Sequence, residues 1–138
     1  MTDYFAPRLD ARAANAVSAL GLAHVGDGVY ELLWRTWLCT HGTATAKDLH
    51  KNTVAHVSAP AQARVMERLL PLLTQEETAV YKRGRNAHVT AVPKNATGGE
   101  YARATGLEAL FGYLYLTGQM DRINTLFAAA AEEDPDAA

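Results

Sequence analysis

Apolar side chains recur at helical spacing along nearly the whole 138-residue chain, and no long run alternates with the period of two that a half-buried strand requires. The pattern confines the chain to an all-α fold of about six or seven helices. Start and stop signals divide it. Asp10 opens the alanine-rich stretch LDARAANAVSALGLAHVG as a first-turn cap. From Val25 the apolar positions Val25, Val29, Leu32, Leu33 and Trp37 keep one face, and Gly42 follows as a stop. Thr45 with Asp48 three residues later opens TAKDLHKNTVAHV, and Ser58 with Pro60 in the first turn opens SAPAQARVMERLL. Pro71 ends or kinks that helix near Leu70. Thr74, with Glu76 and Glu77 early and Lys82, Arg83 and Arg85 late, marks a helix whose charges complement its dipole. HVTAVPKNATGG is a loop, EYARATGLEALFGYLYLTGQ a strong helix, and MDRINTLFAAAA a last amphipathic helix.

At 49% hydrophobic residues the chain can build one core without disulfides or a structural metal, and its single cysteine, Cys39, excludes both a disulfide and a cysteine-rich zinc site. No apolar run approaches the roughly 20 residues of a membrane span. The start, MTDYFAPRLDAR, lacks the basic-then-apolar order of a secretory signal, so a soluble cytoplasmic protein with no membrane partner is expected. The net charge of −2 hides an uneven distribution. Without the tail acids Glu132, Glu133, Asp134 and Asp136 the chain carries 13 basic against 11 acidic residues. From Lys47 to Arg103 nine basic face five acidic residues, with His50, His56 and His88 in the same span. Such a middle is either a footprint for a polyanion or an ordinary solvated surface.

Two acids sit where apolar residues dominate. In AHVGDGVYELLWRTWL, Asp27 and Glu31 stand four apart on one helical face, and Gly26 and Gly28 flank the aspartate. Asp27 either caps a helix starting after Gly26, with Glu31 solvated, or belongs to a site. Glu108 in TGLEALFGYLYL is again a lone acid in an apolar helix. An unpaired buried carboxylate is costly, and two of them become tolerable around a hard cation such as Mg²⁺, which prefers carboxylate oxygens and water. Gly26, Gly28 and Gly112 would then clear space for a neighbouring helix or a bulky substrate.

The stretch KRGRNAHVTAVPKNA gathers Lys82, Arg83, Arg85, Asn86, His88, Lys94 and Asn95. It reads either as a helix end with a solvated loop or as a surface that grips a nucleic-acid backbone through phosphates. His50 with Lys51 could add a phosphate contact. His50 and His56 lack the i, i+4 spacing of a helical metal pair. Trp34, Trp37, Tyr113 and Tyr115 read as packing residues, and phosphate loops, CxxC pairs and a GxSxG elbow are absent.

These blocks resemble one family. LAHVGDGVYELLWRTWL resembles the first signature of ribonuclease III catalytic domains and GLEALFGYLYLTG the second. With LHKNTVAHVSAPAQA, YKRGRNAHVTAVPKNA and the short length, the chain resembles the Mini-III ribonucleases, the compact branch without a separate double-stranded-RNA-binding domain, from about Leu20 to Leu126. The resemblance implies the all-α ribonuclease III endonuclease-domain fold, a homodimer, and Mg²⁺-dependent hydrolysis of double-stranded RNA to 5′-phosphomonoesters, with Mn²⁺ as a substitute. It implies maturation of the large-subunit (23S) ribosomal RNA precursor. By position Asp27 and Glu108 match the signature acids and are the expected catalytic and metal-binding residues, with Glu31 orienting water at the metal. His50, Lys51, Lys82, Arg83, Arg85, Asn86, Lys94 and Asn95 are the expected RNA contacts.

The chain departs from the general family signature at two acids: Ala23 stands four residues before Asp27 and Thr105 three before Glu108, where the signature has carboxylates. Gly28 replaces an alanine or serine, which loosens a helix by up to about 1 kcal/mol. Residues 1–131 are expected to form one catalytic domain and 132–138 a disordered acidic tail. The missing acids keep a second reading open, a non-catalytic dimeric RNA-binding protein of the same fold. The aromatic helix 107–116 leaves a third, a module that docks a protein partner.

Overall fold

The computed structural model describes residues 1–42, 45–87 and 96–132. Among them are seven α-helices: α1 (Ala11–Asn15), α2 (Ala19–Thr40), α3 (Ala46–Val57), α4 (Ala59–Leu69), α5 (Gln75–Arg85), α6 (Gly98–Leu116) and α7 (Met120–Glu132). A 3-10 turn at Leu70–Leu72 joins α4 to α5, where Pro71 was expected to end a helix. The expected capping hydroxyls are in place. Ser58 accepts from the Ala61 N–H, Thr45 from Asp48, and Thr74 exchanges hydrogen bonds with Glu77 in a full capping box.

Two boundaries differ from expectation. The alanine-rich start is not one helix: Asp10 caps only the single turn of α1, and Ser18 then starts α2 by accepting from the Gly21 N–H. Asp27 therefore lies inside a 22-residue helix and caps nothing, which removes one of its two readings. In the last loop, Thr97 and Glu100 form a second capping box, so α6 begins at Gly98 and takes both glycines into its first turn. The remainder of that loop, residues 88–95, lies outside the described residues, as do tail residues 133–138. Among the described residues no helix is long and apolar enough to cross a membrane.

α6 is the centre of the fold. Leu107, Leu110, Phe111, Tyr113 and Leu114 are buried, and α2, α4, α5 and α7 pack around the helix. Against it α2 contributes Leu22, Tyr30 and Trp34. Tyr30 meets Phe111 edge-on at 5.3 Å, and Trp34 meets Phe127 of α7 edge-on at 5.0 Å. His56 of α3 is buried with its ring stacked on Trp34 at 3.9 Å. Among the expected packing aromatics, Trp34 and Tyr113 are buried, and Trp37 and Tyr115 are half-buried against the core. On the far side of α5, Arg122 of α7 grips the carboxylate of buried Glu77 at 2.8 and 2.9 Å and also donates to the Leu72 carbonyl. Burial alone would raise the Glu77 pKa, but Arg122 and the Thr74 N–H outweigh it and hold the carboxyl below its ordinary value.

The tightest packing is between α2 and α6. A Cβ on Gly26 would lie 1.6 Å from the Glu108 carbonyl oxygen, and one on Gly112 would lie 2.0 Å from the Leu22 carbonyl oxygen. The two backbones touch where each helix has no side chain. Gly84 and Gly106 make a second such contact, between α5 and α6, where an added Cβ would come within 2.6 Å of Ala109 and of the Tyr81 ring. Gly28 is different: no atom lies within 4 Å of its would-be Cβ, so no helix approaches there, and of the two expected uses of this glycine only room for a bulky substrate is left.

The three glycines should respond in opposite directions. Gly26→Ala or Gly112→Ala forces the two helices apart and should lower the melting temperature sharply or abolish folding. Gly28→Ala should stabilise by about 1 kcal/mol, because it improves helix propensity in open space. Thermal melts followed by circular dichroism separate these cases.

Candidate active site

The α2–α6 contact fixes two carboxylates side by side. Asp27 follows Gly26 on α2, and Glu108 is the residue whose backbone carbonyl touches Gly26. Asp27 is exposed and Glu108 half-buried. Burial pushes the Glu108 carboxyl up to about 8, and both the charge of Asp27 and a hydrogen bond between the two carboxyls add to the shift. The opposing influence is a neutral donor, the Nε2 of Gln62 on α4, 3.4 Å from Glu108 Oε2. Two adjacent carboxyl groups of which one resists ionisation form a site that lacks positive charge.

That shortage is the test of fit for a divalent cation. A hard cation such as Mg²⁺ takes one or two protein carboxylates and fills its remaining positions with water and substrate oxygens. The pair meets that requirement and no more. Ala23 is buried one turn before Asp27, and Thr105 is buried with its hydroxyl donating to the Tyr101 carbonyl at 2.9 Å. Among the described residues no group of three or more His, Cys, Asp or Glu side chains gathers around a common point. Glu108 and Gln62 line a cleft of about 290 Å³ with Ser58, Tyr101 and Ala104.

The other expected site residues divide into four groups. Glu31, one turn beyond Asp27, pairs with Arg35 at 3.0 Å, so its carboxylate already has a cation. His50 lines a second cleft of about 220 Å³ between α2 and α3, with Arg35, Cys39 and Thr53, and Lys51 beside it is exposed. At the end of α5 the basic residues part company. Lys82 is exposed. Arg85 bonds Asn86 at 3.2 Å and holds its guanidinium 5.7 Å from the Tyr81 ring centre. Arg83 instead donates to Asn15 Oδ1 at 3.1 Å and to the Val17 carbonyl at 3.2 Å, which ties α5 to the turn between α1 and α2. Lys94, Asn95 and His88 lie outside the described residues.

Gln62 is the site residue that sequence reasoning passed over. Its signal was present: Gln62, Val65, Met66 and Leu69 fall at i, i+3, i+4 and i+7, so a polar residue heads the stripe that α4 turns to the core. A polar side chain in such a stripe needs a partner, and Glu108 is one.

The ribonuclease III domain family matches residues 20–119 of the chain. The chain is 44% identical over 123 residues to a Mini-ribonuclease 3 of Symbiobacterium thermophilum, covering 88% of this chain and 95% of that protein. It is 44% identical over 112 residues to a Mini-ribonuclease 3 of Enterococcus faecalis, covering 80% and 85%. A crystal structure of a Fusobacterium nucleatum protein superimposes with a TM-score of 0.77 at 30% identity, covering 83% of this chain and 92% of that one. The two carboxylates sit inside the matched span, on the two helices that carry the signatures. The chain belongs to the ribonuclease III domain family of endoribonucleases, in its Mini-ribonuclease 3 branch.

Proposed function

We propose that this protein is a divalent-metal-dependent endoribonuclease that cleaves double-stranded RNA, with the large-subunit (23S) ribosomal RNA precursor as substrate and 5′-phosphomonoesters as products. The observation that carries the reading is the pairing of Asp27 with Glu108 beside an open cleft. Asp27 presents its carboxylate outward, where a substrate phosphate arrives, and Glu108 closes the site from the core side. Asp27 and Glu108 would hold Mg²⁺ or Mn²⁺, which would supply polarisation of the scissile phosphate and activation of the attacking water. Glu31, held by Arg35, stands one turn further along the same helix face and orients water there.

Binding is assigned to cations that the fold leaves on the surface. Lys51 and Lys82 are exposed and Arg85 half-exposed, with His50 and Asn86 beside them. Such residues grip phosphates and 2′-hydroxyls and read A-form shape, and a small number of phosphate contacts makes affinity fall with salt. Arg83 is exposed as well, with part of its guanidinium engaged by Asn15 and Val17, and contributes less to this set. A homodimer would bring two such sites to the two strands of a duplex. The exposed apolar side chains Leu20 and Leu32 on α2 and Val54 on α3 give a second copy something to cover. The reading places the protein in the cytoplasm.

The buried residues at positions 23 and 105 favour one rival, a non-catalytic RNA-binding dimer with two acids too few. Asp27→Asn keeps the shape and loses the charge. Cleavage of a ribosomal-RNA-like duplex should fall at least a hundredfold, while mobility-shift binding and the melting temperature persist. Wild-type activity in that variant, or a wild type that shifts RNA yet never cuts it with Mg²⁺ or Mn²⁺, ends the nuclease reading. Lys82→Ala should weaken duplex binding and flatten its salt dependence. Arg83→Ala should chiefly lower the melting temperature.

Glu108 also sets a pH dependence. Its value of about 8 in the fold lies above the ordinary 4.5, so the metal-free protein takes up a proton on folding between those limits. The associated stability is complete below the ordinary value and is lost as pH rises through about 8. In EDTA, Glu108→Gln should therefore gain stability over the wild type as pH climbs from 5 to 9, reaching a few kcal/mol. Saturating Mg²⁺ should remove most of that difference, because the metal binds the ionised form. Paired thermal melts across pH, with and without metal, check both statements.

A further inference from the structure

Gln62 is only 2% exposed, and its amide has one end committed and one end open. Nε2 donates to the Val57 carbonyl at 2.8 Å and to Glu108 Oε2 at 3.4 Å. Val57 is the last residue of α3, where helical carbonyls lack partners, so the amide also closes that helix end. The orientation is not interchangeable. Turning the amide over would press its oxygen against the Val57 carbonyl oxygen at 2.8 Å, two acceptors with no proton between them. Oε1 is therefore fixed on the other side, buried and without a hydrogen-bond partner. A methionine of the same length would fill this position without stranding an acceptor. Gln62 and Glu108 line the same cleft, whose volume of about 290 Å³ admits several waters.

We propose that Gln62 is a positioning residue for a hydrated divalent cation: its amide nitrogen holds the Glu108 carboxylate in place beside Asp27, and its open carbonyl oxygen accepts a hydrogen bond from a water of that cation's shell. The inference rests on the reading of Asp27 and Glu108 as metal ligands and adds a residue that neither signature acid supplies. A magnesium ion bound by two protein carboxylates retains several waters, and each water has protons to place. One amide that donates to the carboxylate and keeps an acceptor for the water gives the cation a defined seat. Partners of this kind, one step behind the ligands, change metal affinity or activity by about 10- to 100-fold when removed.

The test is Gln62→Met, which keeps length and volume and removes both amide ends. Calorimetric titration of the RNA-free protein with Mn²⁺ should show a dissociation constant raised about tenfold or more. At low Mg²⁺ the kcat for duplex cleavage should drop, excess Mg²⁺ should recover it, and the KM for RNA should not move. A variant that binds Mn²⁺ like the wild type and loses only melting temperature overturns the proposal, since that is what a packing role predicts. A measurement on the wild type covers the case in which Gln62→Met does not fold. The side-chain amide resonance of Gln62 should shift as Mg²⁺ is titrated in, and should stay still in Asp27→Asn. A resonance silent at saturating Mg²⁺ overturns the assignment. Failure of the wild type to bind Mn²⁺ at all overturns the carboxylate reading itself, and this proposal with it.

Discussion

The α2–α6 crossing at Gly26 and Gly112 is the contact on which the rest depends. Two helices come close enough for backbone to meet backbone only where neither has a side chain, and here each supplies a glycine opposite a carbonyl of the other. The crossing does two things at once. It sets the spacing of the hydrophobic centre, because Leu22, Tyr30 and Trp34 reach their partners around α6 only at this separation. It also sets the chemistry, because the residue after Gly26 is Asp27 and the carbonyl that Gly26 touches belongs to Glu108. A helix pair held apart by ordinary side chains would carry the same two acids and leave them out of reach of each other.

The site so formed is unequal by construction. Asp27 faces solvent, and Glu108 is half-buried with a raised pKa. A fold optimised for stability alone would place a glutamine or an apolar residue at 108. The carboxylate stands against that preference, which is the usual signature of a residue kept for binding or reaction rather than for folding. Elsewhere the chain treats a buried acid differently: Glu77 receives Arg122 in two parallel hydrogen bonds and a backbone donor as well. Buried Glu77 has its cation within the chain; half-buried Glu108 has a neutral amide and an aspartate. The contrast within a single small domain is the strongest electrostatic argument for a cation from outside.

Most of the helix ends were legible in the sequence, because a cap is a transaction between residues three or four apart. Asp10, Thr45, Ser58 and Thr74 all behave as their local patterns require, and Pro71 gives the 3-10 turn. The departures are local as well. Ser18 caps α2 from inside an alanine-rich run, and the Thr97–Glu100 capping box encloses two glycines that look like loop. Charge was less legible. KRGRNA places three cations within four positions, yet successive residues on a helix point in different directions, and of the two exposed cations Lys82 and Arg83 it is Arg83 whose guanidinium bonds Asn15 and Val17.

By itself the sequence determined an all-α chain, the places where most helices start and stop, and, through its two signature stretches, the family to which it belongs. Those properties depend on neighbours along the chain or on ordered blocks of residues, so they can be read in one dimension. Only the tertiary structure decided that Asp27 and Glu108 meet, that Gly26 and Gly112 serve helix contact while Gly28 faces open space, and that Gln62 stands behind the glutamate with one oxygen unanswered. The reason is physical: each of these depends on the distance between helices far apart in sequence, and that distance is set by which side chains are missing at a crossing.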